Sequence, residues 1–109
     1  MANNEDLAQR IREELLGMPG FVEKKMFGGV GFLLGGNMAC GVNKDELIVR
    51  VGPDEHENAL SQPHVRVFDM AGKPMQGWIM VAPDGYTSDQ DLKKWVQLGV
   101  AFARSLPPK

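Results

Sequence analysis

Five glycines crowd into residues 28–36, at Gly28, Gly29, Gly31, Gly35 and Gly36. Clusters of this kind bind phosphate when their spacing lets successive backbone N–H groups close on the oxygens. Neither phosphate pattern completes here. A dinucleotide fingerprint begun at Gly29 meets Gly31 but then Leu34 in place of the third glycine, and a strand rather than a helix follows. A P-loop begun at Gly31 reaches Gly36 but finds Asn37 where lysine must stand. Glycines set between short apolar runs are expected instead to shape hairpins and bulges.

The soft and imidazole ligands are Cys40, His56 and His64, and no pair of them has a metal-motif spacing, so no metal or other cofactor is expected. A nucleophilic Cys40 needs a base to stabilise its thiolate, yet it stands among Ala39, Gly41 and Val42 in an apolar run, the setting of a buried, inert thiol. The two histidines fall at the edges of elements rather than beside a nucleophile. Asp54, Glu55 and Glu57 cluster where a short helix starts, and favourable interaction with its N-terminus accounts for them.

The basic residues offer more. Lys24, Lys25, Arg50, Arg66 and Lys73 come from neighbouring parts of a predicted sheet and form a modest positive patch if the strands bring them together. The interleaved aromatics that single-strand nucleic-acid binders require are limited here to Phe27 and Trp78. Ordinary solvated charge of both signs is the competing explanation.

These residues are carried by elements with clear boundaries. Asn4 is a cap candidate for a helix over 4–16, in which Leu7, Ile11 and Leu15 recur four apart beside Ala8; Gly17 and Pro19-Gly20 end it. Four short strands follow at 22–27, 30–34, 38–42 and 46–51. Gly35-Gly36-Asn37 and Asn43-Lys44-Asp45 make connections short enough only for antiparallel neighbours. In the fourth run Leu47, Val49 and Val51 share one face, while Glu46, Ile48 and Arg50 share the other. A short helix is predicted over 54–60 with Pro53 near its first turn, then strands at 64–69 and 77–82 joined by a loop at 71–74. Ser88 and Asp91 form a capping-box-like pair before a final helix whose Leu92, Trp95, Val96, Gly99, Phe102, Ala103 and Leu106 share one side, and Pro107-Pro108 ends it. The economical packing of this series is a single α+β domain over 1–109, a two-layer antiparallel sheet with helices on one face in the order α-β-β-β-β-α-β-β-α.

If Met26, Leu47 and Val49 face the helices, Phe27 and Ile48 face away beside Lys25 and Arg50. Such a small apolar patch is either a partner surface or is covered by sheet curvature or the Trp78 region. The 109 residues carry 12 Lys+Arg against 14 Asp+Glu and 43% hydrophobic residues, enough for one core without metals or disulfides. The charges within the first fourteen residues do not suit a signal peptide, and no apolar run approaches the ~20 residues that span a bilayer. A cytoplasmic location and no membrane partner are therefore expected. A formal net charge of −2, with both signs scattered, argues against DNA binding through a basic face.

The run Glu23-Lys24-Lys25-Met26-Phe27-Gly28-Gly29, continued by Phe32, Asn37-Met38, Gly41, Leu47 and Arg50, resembles the signature of the TfoX N-terminal domain family. His64-Val65, Gly72-Lys73-Pro74-Met75, Gly77-Trp78 and the final helix with Trp95 are also similar to members of that family. The resemblance implies an α+β fold like that of secretion chaperones and YjbR-like proteins. It also implies a regulatory association, because TfoX/Sxy proteins are positive regulators of bacterial competence genes that act with the cyclic-AMP receptor protein. Longer members add a C-terminal helical domain, for which 109 residues leave no room. Since the family is not known by an enzymatic mechanism, it carries over no catalytic residue. Met26 and Phe27 read as packing positions, Gly28 and Gly29 as backbone geometry and Arg50 as the polar position to test.

The leading expectation is a non-enzymatic regulatory or adaptor module that contacts another protein, a second copy of itself included, through Lys24, Lys25, Phe27, Ile48, Arg50, Arg66 and Trp78. Direct nucleic-acid binding through the basic residues is one alternative. A small enzyme built on Cys40 or His64 is the other.

Overall fold

The computed structural model describes residues 4–26, 28–70 and 73–108. Helix α1 (Glu5–Leu15) starts where the Asn4 side chain accepts a hydrogen bond from the Leu7 amide at 3.0 Å, satisfying one of the free N–H groups of a helix end. Strands β1 (Phe21–Met26), β2 (Gly29–Leu34), β3 (Asn37–Asn43) and β4 (Glu46–Arg50) follow as an antiparallel meander. Then come α2 (His56–Leu60), β5 (Val65–Met70), β6 (Lys73–Val81), a 3-10 turn at Pro83–Gly85 and α3 (Asp89–Ser105). The Ser88 side chain caps α3 by accepting from the Asp91 amide at 3.1 Å. The strands form one antiparallel sheet in the order β1-β2-β3-β4-β6-β5, so the expected α+β class and order of elements hold.

Period-two geometry divides the sheet into two apolar faces. On one, Phe32, Leu34, Val42, Leu47, Val49, Val51, Ile79 and Val81 pack with Leu7, Ile11 and Leu15 of α1 and Leu92, Trp95, Val96, Val100 and Ala103 of α3. Ala39 and Cys40 both belong to this core although they are consecutive in β3. The reason is a bulge: Phe32 pairs with Cys40 and Leu33 with Met38, which leaves Ala39 as the extra residue. The bulged Ala39 lies against α3 at Gly99, where a side chain would strike its carbonyl group.

The opposite face carries Leu33, Met38, Ile48, Phe68 and Met80, all buried, with Met75 and Trp78 packed against them. A second irregularity builds this cover. The β5–β6 register runs from Val67↔Ile79 straight to Asp69↔Pro74, so a single β5 residue, Phe68, stands opposite residues 75–78 of β6. The surplus chain brings Met75 and Trp78 onto Ile48.

Two boundaries differ by more than one residue from the sequence expectation. The short helix begins at His56 rather than at residue 54, because Pro53, Asp54 and Glu55 form a turn. Of the expected 71–74 loop, Ala71 and Gly72 lie outside the described residues, and Lys73 and Pro74 belong to β6. Proline fits there because β6 pairs with β4 only from Trp78 onward, so β4 needs no N–H from Pro74. Among the described residues, no helix is long and apolar enough to cross a membrane.

Candidate functional site

Arg50 closes β4 on the face away from the helices, directly across from Trp78 of β6. Beyond it the chain leaves the sheet through a tight backbone device. The amides of Val51 and Gly52 both donate to the Gly77 carbonyl, at 2.8 and 3.0 Å, a two-against-one arrangement that turns the strand end sharply. Gly52 and Gly77 have φ of +88° and +89°, in the left-handed region where a side chain is strained. The Gly77 amide is satisfied in turn by His56 Nδ1 at 2.9 Å, so this imidazole accepts at Nδ1 and serves the backbone rather than proton transfer.

Gly52 is needed for a second reason. A methyl group there would fall 2.6 Å from Cε1 of Phe102, so the absence of a side chain lets α3 bring its ring against the strand end. The Arg50 guanidinium consequently lies over two aromatic rings, 5.2 Å from the centroid of Trp78 and 5.1 Å from that of Phe102. Each such contact contributes about 0.5–1 kcal/mol at a wet site and more when dry. Arg10, Arg12 and Arg66 bind Asp89, Glu23 and Glu46 respectively, whereas among the described residues no carboxylate reaches Arg50.

The structure separates the other residues singled out by sequence. Lys24 and Lys25 are exposed on β1, at one edge of the sheet, and Arg66 lies on β5 at the other, paired with Glu46. Five strand spacings divide them, about 24 Å at ~4.8 Å each. They do not form one basic patch. Ile48 faces away from the helices as the alternation requires, but it is fully buried under Met75, Trp78 and Phe68 and is not part of a contact surface. Phe27 lies outside the described residues. Trp78 is half-buried, with one side in this second core and its ring under Arg50. Phe102 was assigned by sequence to the helix's buried side alone. The signal for its second role is the Gly52 that clears space for it, which becomes visible only once α3 is placed on the sheet.

Cys40 is fully buried, and burial pushes its thiol up to about 12, so the nucleophilic thiolate is suppressed. His64 is exposed and has a φ of +67°, with its carbonyl accepting from the Ala82 amide at 2.8 Å. Among the described residues, no three His, Cys, Asp or Glu side chains cluster as metal ligands would. Gly29 and Gly31 are strand residues of β2 and Gly35-Gly36 is the turn into β3, so no helix N-terminus stands behind the glycine cluster. A groove of about 400 Å³ runs between α2 and α3, floored by Ala59, Trp95 and Leu98.

The family model of the TfoX N-terminal domain matches residues 13–103, from the second half of α1 to the last turn of α3. The chain belongs to the TfoX N-terminal domain family. A comparison with curated proteins finds no match. The span that makes it a TfoX N-terminal domain includes both bulges, the Gly52–Gly77 junction and all three members of the Arg50 cluster.

Proposed function

We propose that this TfoX N-terminal domain is a non-enzymatic regulatory or adaptor module that works in the cytoplasm by binding another protein, in gene regulation of the competence type. Family membership supports the regulatory process. The observation that carries the mode of action is the β1 edge. β1 pairs with β2 on one side and with no described strand on the other, so it presents a row of backbone donors and acceptors. Val22 on this strand is 50% exposed, and among the described residues it and Leu16, at 75%, are the exposed large apolar side chains. An open edge with apolar flanks accepts a strand from a partner, and a second copy of this chain meets the same requirement. Lys24 and Lys25 discourage indiscriminate pairing and favour a strand that carries acidic residues opposite them.

Light scattering at near-cellular concentration and affinity capture from native extract test the proposal, each with the wild type and Val22→Asp. The expected result is a dimer or a retained protein that the variant loses while its circular dichroism is unchanged. A strict monomer that retains no protein overturns the proposal.

A further inference from the structure

Arg50 is a prepared cation without an anion. The guanidinium carbon of Arg50 lies 5.2 Å from the ring centroid of Trp78 and 5.1 Å from that of Phe102, and the edge of the planar fork carries the N–H groups for binding. That edge is open: no sealed side-chain nitrogen lacks a partner among the described residues, and Arg50 has no hydrogen-bond partner there, so its nitrogens reach solvent. Holding the side chain in this pose requires Gly52 and Gly77 in left-handed conformations, His56 on the Gly77 amide and a β6 bulge that delivers Trp78. These features place the two rings beside Arg50 before any ligand arrives, which lowers the ordering cost of binding.

We infer that Arg50, Trp78 and Phe102 form a receptor for the carboxylate of an aspartate or glutamate side chain on a protein partner. The partner's being a protein rests on the function proposed above; the carboxylate chemistry does not. A carboxylate is planar, singly charged and matched to the guanidinium fork in a two-point contact. A phosphate dianion is disfavoured by its surroundings. Phe102 belongs to the last turn of α3, where the helix dipole is negative, and the whole chain carries a net charge of −2, so a double negative charge is opposed more strongly than a single one. Four surface grooves are lined by other residues, and Arg50 with its two rings forms an open clamp suited to a side chain presented by a large partner.

Nuclear magnetic resonance of the ¹⁵N-labelled full chain at low salt tests this, with three probes: a blocked tri-glutamate peptide, a blocked tri-glutamine peptide and inorganic phosphate. The Arg50 Nε–H and Trp78 indole N–H signals are expected to move saturably with tri-glutamate in the millimolar range and hardly at all with tri-glutamine. Arg50→Lys keeps the charge but loses the fork, and is expected to weaken tri-glutamate binding, read at Trp78, by roughly tenfold. Unmoved Arg50 and Trp78 signals, equal or tighter binding of phosphate, or an undiminished Arg50→Lys variant overturns the inference. Affinity capture separates it from the broader proposal. A partner held equally by wild type and Arg50→Lys sinks the receptor and leaves the protein-contact function standing. Failure of the wild type to hold any protein, with the tri-glutamate response intact, sinks that function and keeps the carboxylate site.

Discussion

Replacing Gly99 with alanine sets two well-understood effects against each other, and the structure decides the sign. Gly99 lies in the middle of the 17-residue α3, where alanine is favoured over glycine by about 1 kcal/mol on helix propensity alone. The added methyl would sit 2.9 Å from the carbonyl carbon of Ala39 and closer still to its oxygen. That obstacle is backbone, held by the β3 bulge, and cannot rotate aside as a side chain would. Overpacking a close-packed contact costs about 1–3 kcal/mol, and a rigid backbone neighbour places this case at the upper end, so a net loss of about 2 kcal/mol remains. For a domain of roughly 100 residues this lowers Tm by about 8–16 °C. Thermal and urea unfolding followed by circular dichroism measure it, with an unchanged m-value showing that both variants unfold as one unit. A Gly99→Ala variant as stable as the wild type, or more stable, would refute the claim that the Ala39 bulge sets the separation between helix and sheet.

Cys40 is expected to resist thiol reagents at mild alkaline pH until the protein unfolds. Its thiol is raised above the ordinary 9.0, so the stability linked to it is fully present below that pH and is lost as pH rises towards about 12, which alkaline denaturation curves of wild type and Cys40→Ala will compare. Glu23 accepts two hydrogen bonds from Arg12, at 2.6 and 2.9 Å, which hold its carboxyl below the usual value. The corresponding stability is present above the unfolded value of 4.5 and fades as pH falls through the lower folded one, so Glu23→Gln is expected to flatten the acid limb slightly and cost about 0.2–1 kcal/mol at neutral pH in urea titrations. His56→Ala leaves the buried Gly77 amide without its acceptor, at a cost of about 1–3 kcal/mol, and is expected to shift the Trp78 indole resonance in an otherwise native spectrum.

The local elements were legible because each carried its own signal. Asn4 and Ser88 cap the two long helices as their side chains suggest, and the alternation of Leu47, Val49 and Val51 against Ile48 and Arg50 assigns the two faces of β4 correctly. For Ile48 two readings stood open, a partner surface or cover by the Trp78 region, and the structure shows the second. Alternation says which way a side chain points but not what lies over it, and the cover comes from a mismatch of one β5 residue against four in β6 that belongs to neither strand alone. The basic patch failed for a related reason. Lys24 and Lys25 sit on β1 and Arg66 on β5, and the meander of β2, β3 and β4 with β6 inserted before β5 places those two strands at opposite edges. Arg50 was identified as a polar position to test, yet its second ring, Phe102, lies 52 residues away and meets it only when α3 docks.

The two faces of the sheet are unequal partners in this fold, and the inequality explains where its binding chemistry can lie. The helix-covered face is sealed by α1 and α3, and it holds Cys40 where its thiol cannot react. The other face has no helix and must cover itself with its own strands, which is the task of the β6 excursion from Met75 to Trp78. A cover made from a bulge ends abruptly. At its end Trp78 has one side committed to Ile48 and Phe68, while its ring supports a cation at the boundary with solvent. The bulge that removes Ile48 from the surface therefore also creates the half-sheltered position in which Arg50 is held. Stability and recognition share one structural cause here. The residue to vary for recognition alone is Arg50, whose guanidinium stands outside the apolar cluster, because truncating Trp78 would open the second core as well.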